Sequence, residues 1–145
     1  MEPVTIAWTD DLARIDWTEL SALYRAAPLG DKAPAHLELM FGNSMFRTFA
    51  FDGSRLVGAG RALADGYDCA YLCDIAVHPT HQAQGLGKDI VARLLRLAGH
   101  HRKIILYAVP GKEAFYKRFG FRRMKTAMAI FPDPEAATAR GYLEA

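Results

Sequence analysis

At 145 residues the chain is long enough to bury a core in one domain without disulfide staples. A formal net charge of +2, with 51% apolar and 23% charged residues, gives no ground for a nucleic-acid binder or an anionic-membrane binder. The start, Met1-Glu2-Pro3-Val4, lacks the basic and apolar regions of a signal peptide, and no apolar run approaches the ~18–20 residues of a membrane span. A cytoplasmic protein with no membrane partner is the expectation.

Taken in chain order, Val4 to Trp8 alternates like a first strand. Asp16 and Glu19 have the spacing of a capping box, with Asp in place of the usual Ser or Thr, ahead of a helical stripe at Trp17, Leu20, Leu23 and Tyr24. Pro28-Leu29-Gly30-Asp31 breaks that helix. Pro34 suits the first turn of a second one, with Leu37, Met40 and Phe41 on its buried side. The pattern then becomes extended. Phe46 to Phe51 and Leu56 to Leu63 read as strands joined by a hairpin turn at Asp52-Gly53-Ser54, and Ala70 to Val77 reads as a third.

From Gly85 an amphipathic helix carries Leu86, Ile90, Leu94, Leu97 and Ala98 on one face and stops at Gly99. Ile104 to Val109 is expected as a strand, Lys112 to Phe119 as a short helix and Phe121 to Phe131 as a last strand. The tail after Pro132 is expected to hold a short helix. The order β-α-α-β-β-β-α-β-α-β predicts an α+β (layered α/β) domain with a mixed sheet.

Cys69 and Cys73, on one strand, would lie about 13 Å apart at ~3.3 Å rise per residue. That is beyond the ~7 Å reach of a disulfide. Further ligands for a metal are not close in sequence, so no metal site is expected. Lys117, Arg118, Arg122, Arg123 and Lys125 read as a solvated face. The run Met40-Phe41, Met45-Phe46, Phe49 and Phe51 reads as core, and His100 and His101, after a helix stop, read as surface.

The chemistry concentrates in Asp74-Ile75-Ala76-Val77-His78-Pro79-Thr80-His81-Gln82-Ala83-Gln84-Gly85-Leu86-Gly87-Lys88. A strand, a polar loop with glycines and a strong helix follow one another. A helix start presents free N–H groups and a partial positive charge, and glycines let phosphate oxygens approach them. The P-loop pattern fails because Asp89 follows Lys88 and the earlier glycine is missing. The dinucleotide fingerprint fails because Ile90 stands where a third small residue belongs. By itself the segment is equally compatible with a tight turn entering a helix.

Gln82-x-x-Gly85-x-Gly87, with Ile75-Ala76-Val77-His78-Pro79 before it and Phe115-Tyr116-Lys117-Arg118-Phe119-Gly120-Phe121 after it, resembles the paired signatures of the GNAT superfamily of N-acetyltransferases. The resemblance is firm over about residues 55–131 and covers the first helices by element order only. It implies a single 1–145 domain with a mostly antiparallel mixed sheet, a splayed strand pair and flanking helices. It also implies direct transfer of an acetyl group from acetyl-CoA, as cosubstrate, to an amine in a ternary complex.

Cofactor contacts would fall on Ile75, Ala76 and Val77 for the pantetheine arm, and on Gln82, Ala83, Gln84, Gly85, Leu86, Gly87 and Lys88 for the pyrophosphate. Tyr116 matches the position of the family's general acid near the sulfur. A phenol, with an ordinary pKa near 10, is protonated at neutral pH and can donate. Asp74 is a charge in an apolar strand, readable as a base or as a structural acceptor for backbone or Arg61. The family's usual base positions fall near Tyr71 and Cys73, neither an evident base, so water-mediated deprotonation stays open. His78 and His81 flank the loop. Many members carry an Asn before the Tyr-bearing helix, where this chain has Val109-Pro110-Gly111-Lys112-Glu113.

The family's acceptor route would bring Tyr24, Asp31, Lys32, Met124 and Met128 near the substrate, with the Pro28–Pro34 connection as a variable lid. A short chain without a flanking recognition domain favours a small-molecule amine. A protein lysine or N-terminus, or a non-catalytic CoA-binding module, are the alternatives. Small members are often dimers, so a homodimer is expected.

Overall fold

The computed structural model describes residues 5–145. Five strands form one sheet in the order β1-β2-β3-β4-β5: β1 (Ile6–Thr9), β2 (Phe46–Asp52), β3 (Arg55–Ala64), β4 (Cys69–Val77) and β5 (Lys103–Ile105). The first four are antiparallel to their neighbours, and β5 joins β4 in parallel. The helices are α1 (Trp17–Ala26), α2 (Pro34–Gly42), α3 (Leu86–Ala98), α4 (Glu113–Lys117) and α5 (Pro134–Ala139). The chain divides into two compact units, the first ending at Leu106 and the second running Tyr107–Ala145. Among the described residues no helix is long and apolar enough to cross a membrane. Val4, expected in the first strand, lies outside the described residues.

Helix packing on β3 is set by the smallest side chains. A Cβ on Gly58 or Gly60 would come within 2.9 Å of Ile90, so only glycine lets α3 lie this close to the sheet. Ala59, between them, points the other way into a cluster with Leu20, Leu23, Tyr24, Leu37 and Phe41 from α1 and α2. Helices therefore cover both faces of the strand. Asp16 caps α1, accepting from Thr18 N–H (2.9 Å) and Glu19 N–H (3.3 Å). The reciprocal half of the box is replaced: Glu19 Oε2 accepts from the Leu56 amide at 3.0 Å, tying α1 to β3.

Three sequence expectations are corrected. Residues 121–131 form no strand, and Met128 and Ile130 are fully exposed (97% and 103%). A segment becomes a strand only when a ladder partner pairs with it. The strand expected to reach Val109 ends at Ile105, where its pairing with β4 stops. His101 is buried rather than on the surface. Its Nδ1 bonds the Ala98 carbonyl (2.8 Å) and its Nε2 accepts from the Gly66 amide (3.1 Å), which fixes a neutral tautomer.

In the second unit, Tyr107, Phe131 and Tyr142 form an aromatic cluster with ring centroids 5.7–6.0 Å apart. The expected helix there is shorter than predicted, at Glu113–Lys117, and the expected tail helix is present as α5.

Candidate functional site

Strand β4 is irregular where chemistry was expected. The register runs from Ala59↔Ala76 to Arg61↔Cys73, so β4 carries one residue more than β3 over this stretch. That is a β-bulge. It is built on Asp74, whose φ of +55° is left-handed, a conformation that Asp tolerates better than most residues. Two contacts fix it. The buried Tyr24 hydroxyl donates to the Asp74 carbonyl at 2.6 Å, and Arg61 Nε donates to Asp74 Oδ2 at 2.7 Å. Both members of the ion pair are mostly buried, with side chains 12% and 18% exposed.

Cys73, beside this pair, has its thiol pushed up to about 11, chiefly by burial, with the Arg61 charge opposing. Burial likewise raises the Tyr24 phenol well above its usual value.

Beyond the bulge β4 has an open side. Strand β5 pairs only with Cys69, Ala70 and Tyr71, so Leu72 to Val77 receive no ladder from it. The splayed pair that the resemblance implied is present, and Ile75, Ala76 and Val77 lie on the stretch that β5 does not pair.

The loop that follows enters α3 through two left-handed residues, Ala83 (φ +63°) and Gly85 (φ +81°). Gly85 is the N-cap residue of α3, offers no side-chain cap, and would meet nothing within 4 Å if it carried a Cβ. The amide of Asp89 bonds the Gly85 carbonyl (3.1 Å), so the amides of Leu86, Gly87 and Lys88 precede the first helical bond. Open space over an uncapped, left-handed glycine is what a bound phosphate group requires. Gln82 braces the loop, its Nε2 donating to the carbonyls of Val77 (3.0 Å) and Ala27 (3.3 Å).

A chain of side chains pins the same loop to the β2–β3 hairpin, and sequence reading did not find it. His81, only 8% exposed, places Nε2 2.8 Å from Asp52 Oδ2 and Nδ1 2.7 Å from Thr80 Oγ1. Thr80 Oγ1 is 2.9 Å from His78 Nδ1, and Arg55 Nη2 is 3.1 Å from His78 Nε2. A guanidinium only donates and a carboxylate only accepts. A neutral His81 therefore donates from Nε2 to Asp52 and accepts at Nδ1 from the Thr80 hydroxyl. The Thr80 amide donates to His78 Nδ1 at 3.2 Å, so His78 caps the short turn that follows it. Partial burial, then the charges of Arg55 and His81, hold His78 below its ordinary value. No local spacing could have signalled a contact between Asp52 and His81.

The remaining predicted positions are dispersed. Tyr24 is fully buried behind β4, with its hydroxyl engaged by Asp74. Asp31 is on the surface, paired with Arg25 at 2.8 Å. Tyr116 lies on α4 in the second unit, half-buried, in edge contact with the rings of Phe115 (5.0 Å) and Phe121 (6.1 Å). Burial raises its phenol above the usual value. Among the described residues no group of three or more His, Cys, Asp or Glu is placed to hold a metal.

Comparison with known proteins agrees with this geometry. A profile of the acetyltransferase (GNAT) family matches residues 9–121. An uncharacterised ycf52-like N-acetyltransferase of Prochlorococcus marinus is 26% identical over 113 residues, 74% of this chain and 63% of that protein. The ycf52 N-acetyltransferase of Pyropia yezoensis is 37% identical over 70 residues, 47% of this chain and 40% of its own length. The chain thus spans less than two thirds of the length of these relatives. In fold, it superposes on a Staphylococcus aureus protein described as a probable acetyltransferase with a TM-score of 0.80 and 23% identity, covering 89% of this chain and 99% of the other. With the family match running from β1 through α4, the chain belongs to the acetyltransferase (GNAT) family.

Proposed function

We propose that this chain transfers the acetyl group of acetyl-CoA, the family's cosubstrate, to a primary amine. The observation that carries the reading is the uncapped left-handed Gly85 at the start of α3, reached directly from the stretch of β4 that β5 does not pair. The amides from Gln82 to Lys88 would hold the pyrophosphate. Ile75, Ala76 and Val77 would take the pantetheine arm as an added strand. Residues 1–145 would work as one domain with its cofactor core at about 55–131; the family match crosses the boundary between the two compact units, which supports that reading.

Tyr116 would protonate the departing CoA thiolate. Its raised phenol stays protonated at neutral pH, which keeps the proton available. Asp74 would act as a positioning residue, its carboxylate committed to Arg61 and its carbonyl to Tyr24. The amine would then arrive neutral or lose its proton to water.

A small-molecule acceptor is preferred to a basic protein tail, because a net charge of +2 provides no attraction for lysine-rich segments. Asp31, exposed on the connection after α1 and paired with Arg25, would meet such an amine. Cytoplasmic location and homodimer formation belong to the same proposal.

The test is thiol release from acetyl-CoA across a panel of amines and peptides. Turnover above background for at least one primary amine is expected. Gly85→Glu should abolish CoA binding by filling and charging the open space at the helix start, and retained affinity would refute the cofactor assignment. Tyr116→Phe should lower kcat more than CoA affinity. Cofactor binding with no turnover on any acceptor would point to a CoA-binding module.

A further inference from the structure

Away from the cofactor loop, the C-terminal half of α3 and the β1–β2 pair enclose a cavity of about 270 Å³, lined by Trp8, Asp10, Arg47, Thr48, Arg93 and Arg96 among others. Three arginines and one aspartate are among its lining residues. Among the described residues, none of the three arginines is ion-paired.

Two of them are nevertheless held in place by neutral groups. The Arg93 guanidinium lies over the Trp8 ring, 4.0 Å from its centroid. Arg47 donates from Nε to the Asp10 carbonyl (3.0 Å) and from Nη1 to the Ser44 carbonyl (3.3 Å). Stacking and carbonyl contacts orient a cation without cancelling its charge, and they leave further N–H donors on each fork. Partial burial and the nearby charge of Arg96 disfavour the Arg93 cation, with the Asp89 carboxylate opposing them.

Attraction to the negative end of the helix accounts for arginines late in α3. It does not account for Arg47 on β2 or for the ring beneath Arg93. The cavity lies at the small end of ligand sites and suits a compact, multiply charged ligand. Planar guanidinium forks match phosphate oxygens in pairs.

We propose that this cavity is a second anion site that binds a small phosphate-bearing ligand through Arg47, Arg93 and Arg96. The proposal is independent of acetyl transfer. Arg93 stands about 12 Å along the helix from Gly85, at ~1.5 Å per residue. A phosphate at the cofactor loop does not fill it.

The chemistry has two sources, a free phosphorylated ligand or a phosphate of the cofactor itself, and the assay separates them. Pyrophosphate binding is measured by calorimetry on the full chain saturated with CoA, with sodium chloride at matched ionic strength as control. Saturable binding beyond the salt control is expected. Arg96→Gln, at an exposed position, should weaken it about tenfold, and Arg93→Gln with Arg96→Gln about a hundredfold, as loss of charge-assisted bonds implies. Arg96→Gln alone decides the matter if the double variant does not fold. Heat equal to the salt control, or affinity unchanged by the substitutions, would overturn the proposal. So would pyrophosphate binding that disappears once CoA is present, which would give the cavity to the cofactor's own phosphate.

Discussion

Removing one partner of the Arg61–Asp74 pair tests whether the bulge in β4 is held electrostatically. Arg61→Met leaves the Asp74 carboxylate in a site where its side chain is 18% exposed, with no cation in contact. Breaking a fully buried pair costs about 3–5 kcal/mol. Residual access for water lowers this to about 2–4 kcal/mol here. For 145 residues at ~2.1 cal/mol/K each, the unfolding entropy is about 0.3 kcal/mol/K, so Tm should fall by about 7–13 °C.

Asp74→Asn keeps the left-handed backbone but strands the Arg61 charge, whose other side-chain hydrogen bond is to Ser44 Oγ at 3.3 Å. It should cost a similar amount. In the double variant neither charge remains, and a double-mutant cycle by urea and thermal unfolding should return a coupling of about 1–3 kcal/mol. A coupling below ~0.5 kcal/mol would refute the argument. The same variants bear on mechanism: kcat should drop to a similar degree in both. A collapse confined to Asp74→Asn would make the carboxylate the base.

Three other outcomes follow from the geometry. Gly60→Ala should destabilise by about 1–3 kcal/mol, because its Cβ would meet Cγ2 of Ile90, which cannot swing aside; Gly58→Ala, against the mobile Cδ1, should cost less, and equal Tm values for Gly60→Ala and the parent chain would contradict the packing. With its thiol near 11, Cys73 should react with iodoacetamide at pH 8 about a hundredfold more slowly than an ordinary cysteine, read by peptide mass spectrometry; labelling at the ordinary rate would remove the burial argument. His78, lowered in the folded chain, takes up its proton later than in the unfolded chain as pH falls. Its contribution is therefore complete above ~6.5 and declines below that. Tm measured between pH 7.5 and 5.5 should fall more steeply for the parent than for His78→Gln, and parallel curves would exclude the histidine chain as the cause.

Much of the scaffold was legible because it is written locally. Periodicity located α1 and α3, the turn residues at Asp52-Gly53-Ser54 marked the hairpin, and the Gln82 to Gly87 spacing marked the helix start. These signals depend on neighbours within a few residues, and local sterics decide them. The open glycine at residue 85 and the splayed β4–β5 pair matched expectation for that reason and through the family pattern.

What needed the tertiary structure was every relation across the sheet. The bulge at Asp74 exists because β4 carries an extra residue against β3, which a single strand cannot announce. Tyr24, fifty residues earlier, supports the Asp74 carbonyl. His81 is buried because Asp52 and Thr80 satisfy both ring nitrogens. The strand expected from Phe121 to Phe131 did not form because pairing belongs to two segments and not to one. The sequence by itself determined where the glycine-led start of α3 lies and which family signatures flank it. Only the fold decided which charges are paired, which line a cavity, and where β4 loses its partner on the β5 side. Those are properties of distance in space, and residues far apart in the chain acquire them only when the sheet closes around them.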